Sequence, residues 1–426
     1  MSRKEDKMEI KKLWIIVFSL LLVLFLSVSV HSQPKVIKIG AIYPLTGNLA
    51  TTGLDCKRGV EMAVDIINGK YDLNLPLAKT EGLPNLGGAK IEIIFADSKG
   101  DPKNGMAEAE RLVTQENVVA VIGAYQSAVT KTASQATERL KIPYVCSDST
   151  SPTLTERGFK YFFRAECTDT IFAKNQFEFI EDIKKKTKSK IETVALLYEN
   201  TEWGANVGKE EQKYAKEFKY KIVADIPYSQ NATDVSSEAG VLIKNKPDVL
   251  LHASYITDAI LYTKTFKELG FSPKGFLTMA GYLEPGYLGT VKADGNYMVV
   301  RSTFALDLAK RKPLVAQVND LYKKKYGMEM SGNAARSFTA PFVVAEAINR
   351  AKSTEAEAVT KALMGTNIPG DQIINPWKGI KFDPNTHQNI YATGILVQIQ
   401  GEQYHTVWPF NMASKDVIWP FPGWKK

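Results

Sequence analysis

From residue 36 onward, short apolar runs alternate with segments whose apolar positions recur every three or four residues. Residues 36–42 read as a buried strand, followed by a Pro/Thr/Gly loop at 44–53. Over 54–69, Val60, Ala63, Val64 and Ile67 fall at i, i+3, i+4 and i+7, one face of a helix that Gly69 closes. A strand is predicted over 91–96, then a helix marked by Met106, Ala109 and Val113, then a strand over 118–123. Val129, Ala133, Ala136 and Leu140 mark another helix before a strand over 142–146. Strands separated by helices of about 10–15 residues mean βαβ units and a parallel sheet.

The rhythm resumes after residue 169. Strands over 193–198, 221–226, 248–252 and 275–279 are spaced by helices at 171–183, 204–219, 235–244 and 259–269. The expectation is an α/β chain of two halves, each with a parallel sheet, joined near 161–169. The Pro/Gly-rich stretch 75–88 reads as an insertion loop, and the Trp/Pro/Phe-rich residues 408–424 as an irregular tail against one half.

The first 32 residues do not fit this rhythm. Arg3, Lys4, Lys7, Lys11 and Lys12 precede an 18-residue, uncharged and mainly apolar run over 13–30, with small residues Val30 and Ser32 at its exit. A basic start, an apolar stretch and a small-residue site describe a secretory signal peptide over 1–32. The expected location is outside the cytoplasm, in the periplasm or on the outer face of the membrane, with no lipoprotein Cys near the junction.

Composition removes several function classes. At 426 residues the chain is long enough for two domains. Net charge is +8, but 54 Lys+Arg are dispersed among 46 Asp+Glu. The densest basic run, Lys184-Lys185-Lys186, carries no interleaved aromatics, so no nucleic-acid partner is expected. Three Cys exclude a disulfide scaffold; four His without ligand spacing suggest no metal and no cofactor. The segment 204–209 is one residue short of a phosphate loop, and Glu210 stands where a hydroxyl should hold Mg²⁺. Cys146 has no His near it in sequence and reads as a buried thiol or a partner for Cys167. No catalytic set emerges, so the chain is expected not to be an enzyme.

What does emerge is a group of polar and aromatic loops at strand ends. The strand at 118–123 runs into Tyr125, Gln126 and Ser127, with Ser127 at an expected helix N-cap. The strand at 142–146 opens into Ser147-Asp148-Ser149-Thr150-Ser151. Adjacent parallel strands put both loops on one rim, where open α/β sheets bind ligands. Trp203 and Tyr255 follow strands of the second half and are placed to close over a ligand.

These residues carry a resemblance. Lys38-Ile-Gly-Ala-Ile-Tyr-Pro-Leu-Thr-Gly47, Arg58-Gly-Val-Glu-Met-Ala-Val-Asp-Ile-Ile-Asn68 and Val121-Ile-Gly-Ala-Tyr-Gln-Ser127 resemble the solute-binding proteins of branched-chain amino-acid ABC importers. So do Ile142-Pro-Tyr-Val-Cys-Ser-Asp-Ser-Thr-Ser-Pro-Thr-Leu-Thr155 and Val194-Ala-Leu-Leu-Tyr-Glu-Asn-Thr-Glu-Trp-Gly204. The resemblance implies the type I periplasmic-binding fold: two Rossmann-like lobes joined by three crossovers, with the ligand between them. It divides the chain into a lobe of 33–164 plus 305–390 and a lobe of 165–304 plus 391–426.

It also implies a site. Ser127 corresponds to the serine that takes a ligand carboxylate, completed by Ser149 and Thr150, with Tyr125, Gln126 and Thr52 nearby and Trp203 and Tyr255 as aromatic walls. One position departs from the family. Where an acidic residue pairs with the ligand ammonium, this chain has Ala280, followed by Gly281-Tyr282-Leu283-Glu284. Either Glu284 reaches in, or the ligand lacks an α-amino group.

The function so implied is delivery of a small carboxylate-bearing solute (branched-chain amino-acid-like, amide or aromatic acid) to an ABC importer by hinge closure. The partners would be permease subunits with a cytoplasmic ATPase, and the chain itself a monomer. The alternative is a ligand sensor of the same fold acting on a receptor or signalling partner.

Overall fold

The apolar run at 36–43 becomes an interior strand of the first sheet. In the computed structural model, which describes residues 36–424, β1 (Val36–Tyr43) lies between β2 (Lys90–Asp97) and β3 (Val121–Gly123). β4 (Tyr144–Cys146) and β5 (Phe162–Arg164) complete an all-parallel sheet in the order β2-β1-β3-β4-β5. β3 and β4 are buried throughout, as expected of strands covered by helices on both faces. The predicted signal segment lies outside the described residues.

The second sheet repeats the plan. β6 (Thr193–Glu199), β7 (Lys221–Tyr228), β8 (Val249–Ser254), β9 (Gly275–Ala280) and β10 (Val299–Ser302) are parallel in the order β10-β9-β8-β6-β7. Numbered within each half, this is the same strand order as in the first sheet. Its reversal falls between β1 and β3 in one half and between β6 and β8 in the other. Loops leaving the carboxyl ends near these reversals are where such sheets bind ligands.

The second sheet is extended at one edge by strands that the β–α rhythm did not predict. After a two-stranded ribbon of β11 (Asn367–Pro369) and β12 (Gly379–Lys381), β13 (Ile395–Ile399) pairs antiparallel with β10, and β14 (Tyr404–Trp408) pairs antiparallel with β13. Gly401 at φ 63° permits the tight return between them. Beyond β14 the tail is irregular and packs on the second lobe: Phe421 meets Phe276 at 5.0 Å, and the Trp424 indole donates to the Phe271 carbonyl at 2.8 Å.

Other differences are local. The helix predicted from residue 54 starts at Ala50 and runs to Asn68, because the polar Thr51 and Thr52 hide its first turn from a periodicity argument. Ser127 is the first residue of the helix Ser127–Arg139, not its N-cap; Gln126 holds that position without a side-chain bond. The insertion at 75–88 is packed rather than loose. Leu75, Ala78 and Leu83 are buried, and Asn85 hydrogen-bonds to Asn349 through both its backbone and its side chain. Residues 305–390 supply further helices, among them Gly332–Ser337 and Thr339–Ala351. Cys56, Cys146 and Cys167 are all free and buried, so Cys146 and Cys167 are not bonded to each other.

Candidate functional site

The loops after β3, β4, β6, β8 and β9 converge on a small cavity between the two halves. From the first half it is lined by Tyr125, Asp148, Thr150 and Arg336; from the second by Trp203, Tyr255, Ala280 and Arg301. Tyr125, Thr150, Trp203, Tyr255 and Ala280 therefore meet there, as five of the residues singled out in sequence. Ser127, Ser149, Gln126, Thr52 and Glu284 are buried behind that lining.

The aromatic wall is continuous across the cleft. Tyr125 and Tyr255 rings stand 5.9 Å apart, and Tyr255 and Trp203 rings 4.9 Å apart. The Trp203 indole donates to Asp169 Oδ1 at 3.3 Å, which fixes the ring's orientation. Tyr125 (φ 76°) and Ala280 (φ 51°) both hold left-handed backbone, a costly conformation for non-glycine residues that clusters at binding sites. Gly281 lets the loop after β9 lie against the loop after β8, since a Cβ there would come within 2.5 Å of the Tyr255 and Ile256 backbone.

The hydroxyl-rich loops bond mainly to one another. Ser149 Oγ donates to the Tyr125 carbonyl at 2.9 Å and shares a hydrogen bond with Thr130 at 2.6 Å. Ser127 Oγ accepts the Ser151 N–H at 3.3 Å. Asp148 accepts hydroxyls from Tyr43, Ser147 and Ser337, and burial raises its pKa despite the nearby Arg336. These bonds hold the first-lobe rim rigid.

Glu284 ties the lobes together. Its carboxyl accepts the Tyr125 hydroxyl at 3.0 Å and the Thr52 hydroxyl, both from the first half. Burial, without a cationic partner, pushes its pKa up to about 8. On another rim, Glu202 accepts Lys131 at 2.9 Å and Thr153 at 2.7 Å, and Asn48 donates to Asn231 at 3.0 Å. The two lobes are thus closed on each other.

Sequence reasoning missed the arginines. Arg336 is carried on the helix Gly332–Ser337, which approaches the helix Ala50–Asn68 so closely that a Cβ on Gly59 would meet the Ala334 carbonyl at 2.1 Å. Its Nε donates to Glu166 at 2.8 Å, and the carboxylates of Glu166 and Asp148 outweigh burial to raise its pKa. Arg301 sits on β10 with its guanidinium 4.2 Å above the Phe172 ring. Burial lowers its pKa to about 10. An Arg inside the apolar run Val299-Val300-Arg301 was the available signal, because a buried strand spends nothing on a cation without a reason.

Among the described residues, no group of acidic, His and Cys side chains could hold a metal ion, and no helix is long and apolar enough to cross a membrane.

Two α/β halves of one strand order, closed over an aromatic and cationic cavity, define a two-lobed solute-binding protein. The sequence profile of the periplasmic binding proteins matches residues 36–403, and the chain belongs to that family. The Leu/Ile/Val-binding protein homolog 7 of Brucella suis biovar 1 (strain 1330) is 29% identical over 398 residues, 90% of this chain and 94% of its own length. Among solved structures, the leucine-binding protein LivK of Thermotoga maritima MSB8 has a TM-score of 0.74 at 20% identity, covering 87% of this chain and 97% of that one. LivJ of Streptococcus pneumoniae, a branched-chain amino-acid transporter substrate-binding protein in complex with isoleucine, has a TM-score of 0.73 at 21% identity, covering 91% and 100%. The fold is the type I periplasmic-binding fold, and the family is one of extracytoplasmic solute-binding proteins.

Proposed function

We propose that this protein captures a small carboxylate-bearing solute outside the cytoplasm and delivers it, lobes closed, to the permease subunits of an ABC importer powered by a cytoplasmic ATPase. The observation that carries this reading is the interlobe cavity, with residues from both lobes meeting across an aromatic wall. Family membership and relatives named for Leu/Ile/Val binding support it. We assign 33–164 plus 305–390 to one lobe and 165–304 plus 391–426 to the other, working as a monomer after removal of residues 1–32.

In this reading Tyr125, Thr150, Trp203, Tyr255 and Ala280 touch the solute. Ser127, Ser149, Gln126 and Thr52 hold the rim, and Glu284 serves closure rather than ammonium recognition. Its carboxyl is bonded to two hydroxyls and carries a raised pKa, which makes it a poor counter-ion for an α-amino group. The test is a thermal-shift screen of the purified protein, since a solute that binds only the native state raises its apparent stability. Amino acids, aromatic acids and amides are the compounds to include. No shift with any of them would sink the reading.

A further inference from the structure

The cavity contains two buried guanidinium groups, one from each lobe. Arg301 is 2% and Arg336 4% exposed, and both line the cavity. Arg336 spends its Nε–H on Glu166. Arg301 spends nothing: its Nε has no partner, and among the described residues its guanidinium makes neither a hydrogen bond nor an ion pair. It is held in place by the Phe172 ring beneath it. A buried arginine with an unused planar fork is costly unless something accepts those hydrogens.

The neighbouring carboxylates do not fill that role. Glu166 is bonded to Arg336, Thr303 and the Cys167 N–H. Asp169 gives one oxygen to Trp203 and leaves Oδ2 without a partner, and it acts on Arg301 only through its field. Asp148 already accepts three hydroxyls. The hydroxyls of Ser127 and Ser149, which the family resemblance assigns to a ligand carboxylate, are engaged with Ser151, Tyr125 and Thr130.

We propose that Arg301, assisted by the free end of Arg336, is the receptor for the anionic group of the solute, so that the ligand is an organic acid without an α-ammonium group. The inference rests on the solute-binding reading above and narrows it. A guanidinium fork matches a carboxylate with two parallel hydrogen bonds. The rings of Tyr125, Tyr255 and Trp203 then cover the acid's apolar body. A zwitterion would bring its ammonium toward two arginines; Ala280 offers it no counter-charge, and the unbonded Asp169 oxygen already lies in the field of Arg301.

The test is a thermal-shift and calorimetric panel of carboxylic acids, each beside its primary amide and its α-amino acid. One such triplet is 4-methylpentanoate, 4-methylpentanamide and leucine; another is 3-phenylpropanoate, 3-phenylpropanamide and phenylalanine. Binding is expected for acids over both counterparts, with affinity reduced about tenfold to a hundredfold in Arg301→Gln. Arg301→Lys, which keeps the charge without the fork, provides the comparison should the Gln variant fold poorly; an intermediate loss is expected. Amides or amino acids binding as well as acids, or acid affinity unchanged in Arg301→Lys, would overturn the inference while leaving a solute receptor. No binding by any member of the panel would overturn both.

Discussion

Trp203 sits where ligand capture should be visible. Its ring packs on Tyr255 and its indole N–H is tied to Asp169, so its environment depends on whether the lobes are apposed. A saturable change in tryptophan emission on adding ligand is expected, and Trp203→Phe should remove most of it. An unaltered ligand response in that variant would place the reporting tryptophan among Trp377, Trp408, Trp419 and Trp424. Ser127 makes the opposite case. Its hydroxyl accepts a buried backbone N–H, so Ser127→Ala should cost about 1–3 kcal/mol of fold stability through the unsatisfied Ser151 donor. Ligand affinity should change by less than about threefold, under 0.7 kcal/mol. Denaturant unfolding beside calorimetry separates the two effects. A tenfold loss of affinity at unchanged stability would return the carboxylate to Ser127.

Among elements, the segment from β9 to the helix Pro285–Val291 matters most for closure, because it carries Ala280 and Glu284. The groups facing the Glu284 carboxyl are the Thr52 and Tyr125 hydroxyls, with Asp55 and Tyr404 further off and no cation. Opening would hydrate the carboxyl and return its pKa from about 8 toward 4.5, so closure takes up a proton. The neutral acid is the form that suits the closed state. Closure is therefore fully favoured below pH about 4.5 and loses this contribution as pH rises toward about 8. Ligand affinity should fall across that window, and Glu284→Gln, neutral at every pH, should flatten the profile. A slope unchanged in Glu284→Gln would exclude the carboxyl as its source. The sequence made the β–α rhythm of both halves legible, because strand and helix periods are local properties. Tyr125, Thr150, Trp203 and Tyr255 were legible as residues just past strand ends, and Ala280 only through the family resemblance. Arg301 and Arg336 were not, since they lie 35 positions apart and meet only through packing of the Gly332–Ser337 helix on Gly59. The antiparallel β13–β14 edge was hidden for a similar reason: its pairing partner, β10, lies about a hundred residues away.

For the whole molecule, the relevant quantity is the balance between open and closed lobes. Glu284 bridges to the first lobe on one side of the cavity, and Glu202 bridges to Lys131 and Thr153 on another. None of these bonds can survive separation of the lobes, whereas the core of each lobe can. The Glu202 contacts are partly exposed to solvent, with Lys131 45% and Glu202 19% exposed at the side chain, so their net contribution is modest. A solvent-screened pair of this kind contributes about 0.2–1 kcal/mol. Glu202→Gln should therefore raise the apparent dissociation constant only about 1.4-fold to 5-fold, by lowering the closed population rather than by touching ligand. Its ligand-free thermal midpoint should stay close to that of the parent protein, because neither lobe loses a core contact. Small-angle scattering checks the cause. The ligand-free variant should have a larger radius of gyration than the parent, and saturating ligand should bring the two together. Equal radii without ligand, alongside weaker binding, would mean that Glu202 acts on the solute itself and not on closure.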